Sequence, residues 1–217
     1  QGKKIGALGN LTCFSFYATK NMTTGEGGMI VTSDEQLAER LRVLSMYGIS
    51  DARRIWKRHA PRGSWVYDIA ELGFKCNMMD IQASLGLPQL KKLDGFIERR
   101  THFATIFNEV LGDVVGLQLP TVLADVKSAW HLYPVLVPEK CDRDVLIEEL
   151  KTHNIGTSVL FQPLHLHSYY EKLLGEQEGH FPVAESVYRR VVCLPISPKA
   201  SEEDIEYVAE TVRELVG

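Results

Sequence analysis

A chain of 217 residues with a formal net charge of −4, 45% hydrophobic and 24% charged residues, has the composition of one large globular domain or two small ones. It has no basic excess to neutralise phosphates, which argues against a nucleic-acid-binding protein. No run of 18 apolar residues is present to cross a membrane as a helix. Cys13, Cys76, Cys141 and Cys193 show neither C-x-x-C nor zinc spacing, and fit a reducing, cytoplasmic setting better than disulfides or a metal site.

In chain order, LTCFSFY (11–17) predicts a strand, NMTTGEGG (21–28) a turn and GMIVTS (28–33) a second strand. Ser33, Asp34 and Glu35 open a helix over 34–47 whose apolar face carries Leu37, Leu41 and Leu44. Residues 48–66 read as loop. Arg53, Arg54, Lys57, Arg58 and Arg62 in that loop read as a solvated cluster, with an electropositive rim for an anionic substrate as the second reading. The longest helical pattern runs from Met79 to Leu111, with Ile81, Leu85, Leu90, Leu93 and Ile97 on one stripe, and Pro88 is expected to kink or split it.

Composition changes at 114–129, which suggests a linker dividing 1–113 from 114–217. HLYPVLVP (131–138) predicts a strand, with Trp130 and Tyr133 as core residues. A helix over 142–156 is expected to end at Gly156, and GTSVLF (156–161) to form a strand. A short helix over 181–190, a strand over 191–197 and a helix over 201–216 complete an α+β order. Cys13 and Cys193 lie in apolar runs and read as buried thiols.

The chemistry concentrates in FSFYATKNMTTGEGG (14–28). A strand reaches Ser15, and Lys20 follows in a turn ahead of Gly25, Gly27 and Gly28. A lysine becomes a carbonyl nucleophile where its surroundings disfavour the ammonium form and fix its direction. Ser15 and Thr19 offer hydroxyls to an anionic group, and the glycines permit positive φ and close approach of backbone amides. Amine, hydroxyls and open backbone together suit a phosphate-bearing aldehyde cofactor. A solvated lysine beside a Gly-rich turn is the plainer alternative, and the order of a Walker A loop is absent.

The segment 14–50, from FSFYATKNMTTGEGG to SMYGIS, resembles the lysine segment of the DegT/DnrJ/EryC1/StrS family. The resemblance continues through GSWVYDIAELGFKCNMMDIQASLGLPQLKKLDGFIERR (63–100), AWHLYPVLV (129–137), GTSVLFQPLHLHSYY (156–170) and CLPISPKASEEDIEYV (193–208). It implies an α/β protein: part of the large domain of a fold type I pyridoxal 5′-phosphate (PLP) transferase, followed by a small α+β domain. It implies PLP as cofactor, L-glutamate as amino donor and the keto-sugar of a nucleotide-sugar as acceptor. It further implies a cytoplasmic homodimer with shared active sites, and no nucleic-acid or membrane partner.

Residue by residue, Lys20 resembles the Schiff-base lysine that also moves the α-proton, and Ser15 the serine that binds the cofactor phosphate. Asn77 resembles the asparagine that reaches the neighbouring subunit's cofactor phosphate. Lys75 stands where relatives often carry Lys or Arg, Tyr17 where they carry His or Tyr facing the substrate, and His165 in a loop near the nucleotide-sugar site. The family's Glu-Asp pair, its phosphate-binding Gly-rich turn and its ring-stacking aromatic lie upstream of these motifs, and GKKIGALGN resembles the stretch soon after that pair. The expectation is therefore the C-terminal part of a longer enzyme, inactive on its own. A non-catalytic fragment with a structural role is one alternative. A nucleotide-sugar dehydratase is another, against which Lys20 counts, because that branch carries His there.

Overall fold

The computed structural model describes residues 2–49 and 68–217. Arg53, Arg54, Lys57, Arg58 and Arg62 lie outside the described residues. The chain falls into two compact units, Gln1–Leu93 and Asp94–Gly217.

In the first unit, β1 (Thr12–Ser15) and β2 (Gly28–Val31) pair antiparallel, with Thr12 opposite Val31 and Ser15 opposite Gly28. Helix α1 (Glu35–Ser45) follows, its N-terminus capped by Asp34, whose carboxylate accepts from the amides of Gln36 and Leu37. Leu37, Leu41 and Leu44 are half-buried. Cys13 is exposed, contrary to the expectation of a buried thiol, because it lines an open cleft shared with Leu41 and Ser45 of α1 and with Cys76.

Helix α2 (Asp80–Leu111) contributes its first part to the first unit and its remainder to the second. It runs through Pro88 without splitting. Proline removes one helical N–H, but Ser84, whose carbonyl loses that donor, and Pro88 itself are exposed, so water can satisfy the freed group. The expected apolar stripe is largely open: Ile81, Leu85 and Leu90 are exposed, and Leu93 and Ile97 are half-buried. The buried stripe comes later, at Phe103, Phe107 and Leu111, where the second unit supplies packing partners.

The second unit is built on β3 (Tyr133–Leu136) and β4 (Val191–Leu194), paired antiparallel with Tyr133 opposite Leu194. Around them lie α3 (Arg143–Thr152), a 3-10 turn (Leu164–Leu166), α4 (Ser168–Leu174), α5 (Pro182–Arg190) and α6 (Glu202–Val216). Helix α6 shows the period of an amphipathic helix: Ile205, Val208, Ala209, Val212 and Val216 are buried, and a capping box of Ser201 and Asp204 starts it. With Val135, Val192, Leu146, Leu150 and the α2 stripe they form one core, where each buried large aliphatic or aromatic side chain contributes roughly 1.5–3 kcal/mol. Gln118 exchanges both backbone hydrogen bonds with Leu136, at 2.9 and 3.0 Å, and Val114 and Leu117 are buried in the same core.

Two expectations here are corrected. Helix α3 ends at Thr152, and the left-handed residue is Asn154 (φ 60°) instead of Gly156. Asparagine tolerates that conformation, and the Ile155 amide closes back on the Leu150 carbonyl at 2.9 Å. Residues 156–161 form a single bridge, Ser158 to Cys193, in place of a strand. After it the backbone leaves the sheet, and Phe161 is 77% exposed.

Candidate functional site

Lys20 sits in a tightly closed turn. Its amide donates to the Tyr17 carbonyl at 3.0 Å, and the Tyr17 amide donates to Ser15 Oγ at 3.3 Å. Ser15, Tyr17 and Lys20 are thus linked within one turn at the end of β1. The base of the loop is pinned where it meets β2. The Phe16 amide donates to the Gly27 carbonyl at 2.8 Å, and the Phe16 carbonyl accepts from the Thr24 amide at 3.0 Å and from Thr23 Oγ1 at 3.1 Å. Thr24 is buried, and its Oγ1 donates to the Glu26 carbonyl at 2.8 Å.

The glycines of this turn serve different needs. Gly25 has φ 80°, and a Cβ there would meet nothing within 4 Å, so conformation alone selects glycine. Gly27 has φ 155°, and a Cβ there would come within 2.5 Å of Thr24 Oγ1 and 2.9 Å of Met78 Cε.

Lys75 and Asn77 lie on a segment stitched to the end of α1. The Phe74 amide donates to the Leu44 carbonyl at 2.7 Å, the Tyr47 amide to the Phe74 carbonyl at 2.8 Å, and the Cys76 amide to the Ser45 carbonyl at 2.9 Å. The crossing is so close that a Cβ on Gly48 would fall 1.7 Å from the Glu71 carbonyl oxygen, and one on Gly73 would fall 2.0 Å from the Gly48 nitrogen. Lys75 Nζ stands 5.6 Å from the centre of the Tyr47 ring, a cation–π contact. Met78 and Gln82, just beyond Asn77, touch the Gly-rich turn: Gln82 Nε2 donates to the Glu26 carbonyl at 3.0 Å.

The residues present fit a phosphate-bearing aldehyde. Ser15 Oγ accepts one backbone amide, and its O–H remains to donate from an exposed position. Asn77 Oδ1 is buried without a hydrogen-bond partner among the described residues, an acceptor left open to a donor from outside this unit. The Ser15 hydroxyl is a neutral donor of the kind phosphate oxygens need, in the same turn as the amine of Lys20.

His165 belongs to the second unit and has contacts of another kind. Its Nε2 lies 3.1 Å from Glu185 Oε1, and its ring packs 4.6 Å from that of Phe181, centre to centre. Glu185 also accepts from the Gly179 amide at 2.9 Å and the Phe181 amide at 3.3 Å. Burial raises the Glu185 carboxyl, but the bonds from His165, Phe181 and Gly179 outweigh it and hold the group below its ordinary value.

Sequence reasoning missed three residues of these surroundings. Thr24 and Gln82 hold the turn, and Glu185 holds His165. Only Gln82 left a signal: Met79 to Gln82 is the spacing at which a glutamine caps a helix start.

Comparison with known proteins gives a consistent picture. The model of the DegT/DnrJ/EryC1/StrS aminotransferase family matches residues 1–213. The uncharacterized protein MJ1066 of Methanocaldococcus jannaschii is 51% identical over 219 residues, covering 100% of this chain and 56% of the relative. The spore coat polysaccharide biosynthesis protein SpsC of Bacillus subtilis is 46% identical, covering 99% of this chain and 56% of the relative. The chain therefore spans about half the length of the curated relatives it matches. Spr1654 of Streptococcus pneumoniae, solved in a PLP-form and a PMP-form, superposes with TM-scores of 0.87 and 0.89 at 29% and 30% identity. These matches cover 99% of this chain and 54% and 55% of that one. The architecture is that of fold type I transferases, as the sequence resemblance implied.

Proposed function

Because the chain belongs to the DegT/DnrJ/EryC1/StrS aminotransferase family, we propose that it carries the lysine-bearing part of a PLP-dependent site that moves an amino group from L-glutamate to the keto-sugar of a nucleotide-sugar. The observation that carries this reading is the turn itself: Lys20 and Ser15 are held together in a loop pinned at its base to a Gly-rich strand entry. The PLP- and PMP-forms of Spr1654 support the cofactor. SpsC, named for polysaccharide biosynthesis, supports a sugar acceptor.

When bound, PLP supplies an aldehyde and a ring able to absorb an electron pair from the carbon being deprotonated. This chain's residues do the rest. Lys20 is the amine that would hold the cofactor's aldehyde carbon, and its Nζ, once free, would accept and return the proton of the reacting carbon. Ser15 Oγ donates to the cofactor phosphate. Asn77, in a homodimer, donates its side-chain amide to the phosphate in the neighbouring subunit. Tyr17 and Lys75 face the substrate side, and His165 lies toward the nucleotide-sugar.

The test is spectroscopic. Full protein incubated with PLP should develop an imine absorbance band that shifts on addition of L-glutamate. Lys20→Arg should lose the band and the turnover together. Absence of the band in the wild-type protein, or turnover retained by Lys20→Arg, overturns the reading.

A further inference from the structure

We propose that Gln82 is a positioning residue for this site, a two-ended clamp that ties the Gly-rich turn after Lys20 to the helix start after Asn77. The inference rests on the reading of Lys20 and Asn77 given above.

Gln82 is the third residue of α2, and its Oε1 accepts from the Met79 amide at 3.1 Å. That is half of a capping box, the usual reason for Gln or Glu at this position. A glutamate would cap equally well. Glutamine differs in having a donor at the other end of its amide. That donor reaches across 56 residues of sequence to the Glu26 carbonyl at 3.0 Å. The same carbonyl accepts Thr24 Oγ1 at 2.8 Å, so Gln82 completes the bonding of the oxygen at the centre of the turn.

Packing follows the same line. Met78, Gln82 and Gly86 are spaced by four and so share one face of the helix and its lead-in. Met78 Cε fills the space a Cβ on Gly27 would need, and a Cβ on Gly86 would meet Thr24 Cγ2 at 3.1 Å and Met22 Cε at 3.6 Å. The turn's own bonds hold its base and Thr24, but Gly25 and Gly27 both have positive φ and Gly25 faces open space, so its tip gains from an outside tie. The turn that follows Lys20 thus takes part of its rigidity from α2, and the helix start after Asn77 is fixed by the same side chain.

Gln82→Glu separates the clamp from the cap, because it keeps the acceptor for Met79 and loses the donor to Glu26. Amide hydrogen exchange in the full protein without cofactor is the first readout. Gln82→Glu should leave the Met79 and Ala83 amides protected and speed exchange at residues 23–28 by about tenfold, and Gln82→Leu should loosen both Met79 and the turn. The second readout is retention of PLP, followed by the imine band after dilution, which should fall in both variants. Wild-type exchange at 23–28 in Gln82→Glu overturns the clamp, whatever Lys20 does. Faster exchange with unchanged PLP retention overturns the positioning role. A wild-type protein that forms no imine overturns the reading of Lys20 and the positioning role with it, while exchange still decides the clamp.

Discussion

His165 Nε2 and Glu185 Oε1 lie 3.1 Å apart, with side chains only 11% and 4% exposed. The contact joins the turn after Pro163 to the first turn of α5. Glu185 gathers three donors besides its own helix bonds: the imidazole of His165 and the amides of Gly179 and Phe181. A histidine whose family position suggests the substrate side is therefore held at one ring nitrogen, and only the other nitrogen remains for a ligand.

This relationship has a pH signature. The Glu185 carboxyl is lowered from its ordinary 4.5 in the folded chain. A group depressed on folding stabilises fully above its unfolded value, and that contribution is lost as pH falls through the folded value. Wild-type melting temperature should therefore drop more steeply below pH 4.5 than that of Glu185→Gln, whose amide does not titrate. Melts followed by circular dichroism from neutral to strongly acid pH check this, and parallel curves would show that the carboxylate contributes nothing.

Tyr133 offers a neutral comparison. It is fully buried, stacks 4.7 Å from Phe107, and donates its hydroxyl to Asn108 Oδ1 at 2.6 Å. Asn108 is exposed and can turn to water when that donor is removed. Tyr133→Phe should therefore cost only about 1 kcal/mol in urea denaturation. Burial pushes the Tyr133 phenol above its ordinary range. The variant should accordingly leave the early alkaline rise in tyrosine absorbance unchanged, whereas a smaller rise would place Tyr133 in water.

The thiols should separate by accessibility. Cys13 and Cys76 are exposed, Cys141 is intermediate and Cys193 is buried, and burial pushes the thiols of Cys141 and Cys193 up. In the native 217-residue chain, an aromatic disulfide reagent should modify Cys13 and Cys76 first and Cys193 only in denaturant. Peptide mapping by mass spectrometry reads the order directly, and early labelling of Cys193 would contradict the packing of β4.

Two glycine substitutions should have opposite signs. Gly95→Ala, in the middle of α2 with nothing within 4 Å of the added carbon, should stabilise by about 0.5–1 kcal/mol through helix propensity. Gly73→Ala drives a methyl to 2.0 Å from a backbone nitrogen and should cost more than about 2 kcal/mol. Chemical denaturation of both variants tests the pair, and a neutral Gly73→Ala would mean the backbone segments at Gly48 and Gly73 can part without loss.

What the sequence revealed divides along physical lines. Elements whose signal is local were legible: β1 and β2 fall inside their predicted runs, Asp34 caps α1, and Ser201 starts α6. The Lys20 turn was legible for the same reason, since Ser15, Tyr17 and Lys20 are near neighbours in the chain. Features decided by distant partners were not. The stripe of Ile81, Leu85 and Leu90 has the period of a buried face, yet burial depends on what stands opposite. Residues 156–161 have strand composition, but only Ser158 finds a sheet partner. Helix α4 and the turn before it were passed over, although Gly175 at the C-cap marks the end of the Ser168–Leu174 run. The bonds of Gln82 to Glu26 and of His165 to Glu185 span 56 and 20 residues, and no spacing rule reaches that far.

The crossing of Gly48 and Gly73 has a consequence for how this protein can change over generations. The atoms that exclude a side chain there are the Glu71 carbonyl, the Tyr47 carbonyl carbon and the Gly48 nitrogen. All are main-chain atoms, which every amino acid supplies alike. A core cavity or a charge clash can be relieved by a second substitution, but here no replacement elsewhere removes the obstacle. A suppressor selection begun from Gly73→Ala should return revertants to glycine. The two positions form a fixed point around which the rest of the sequence is free to drift.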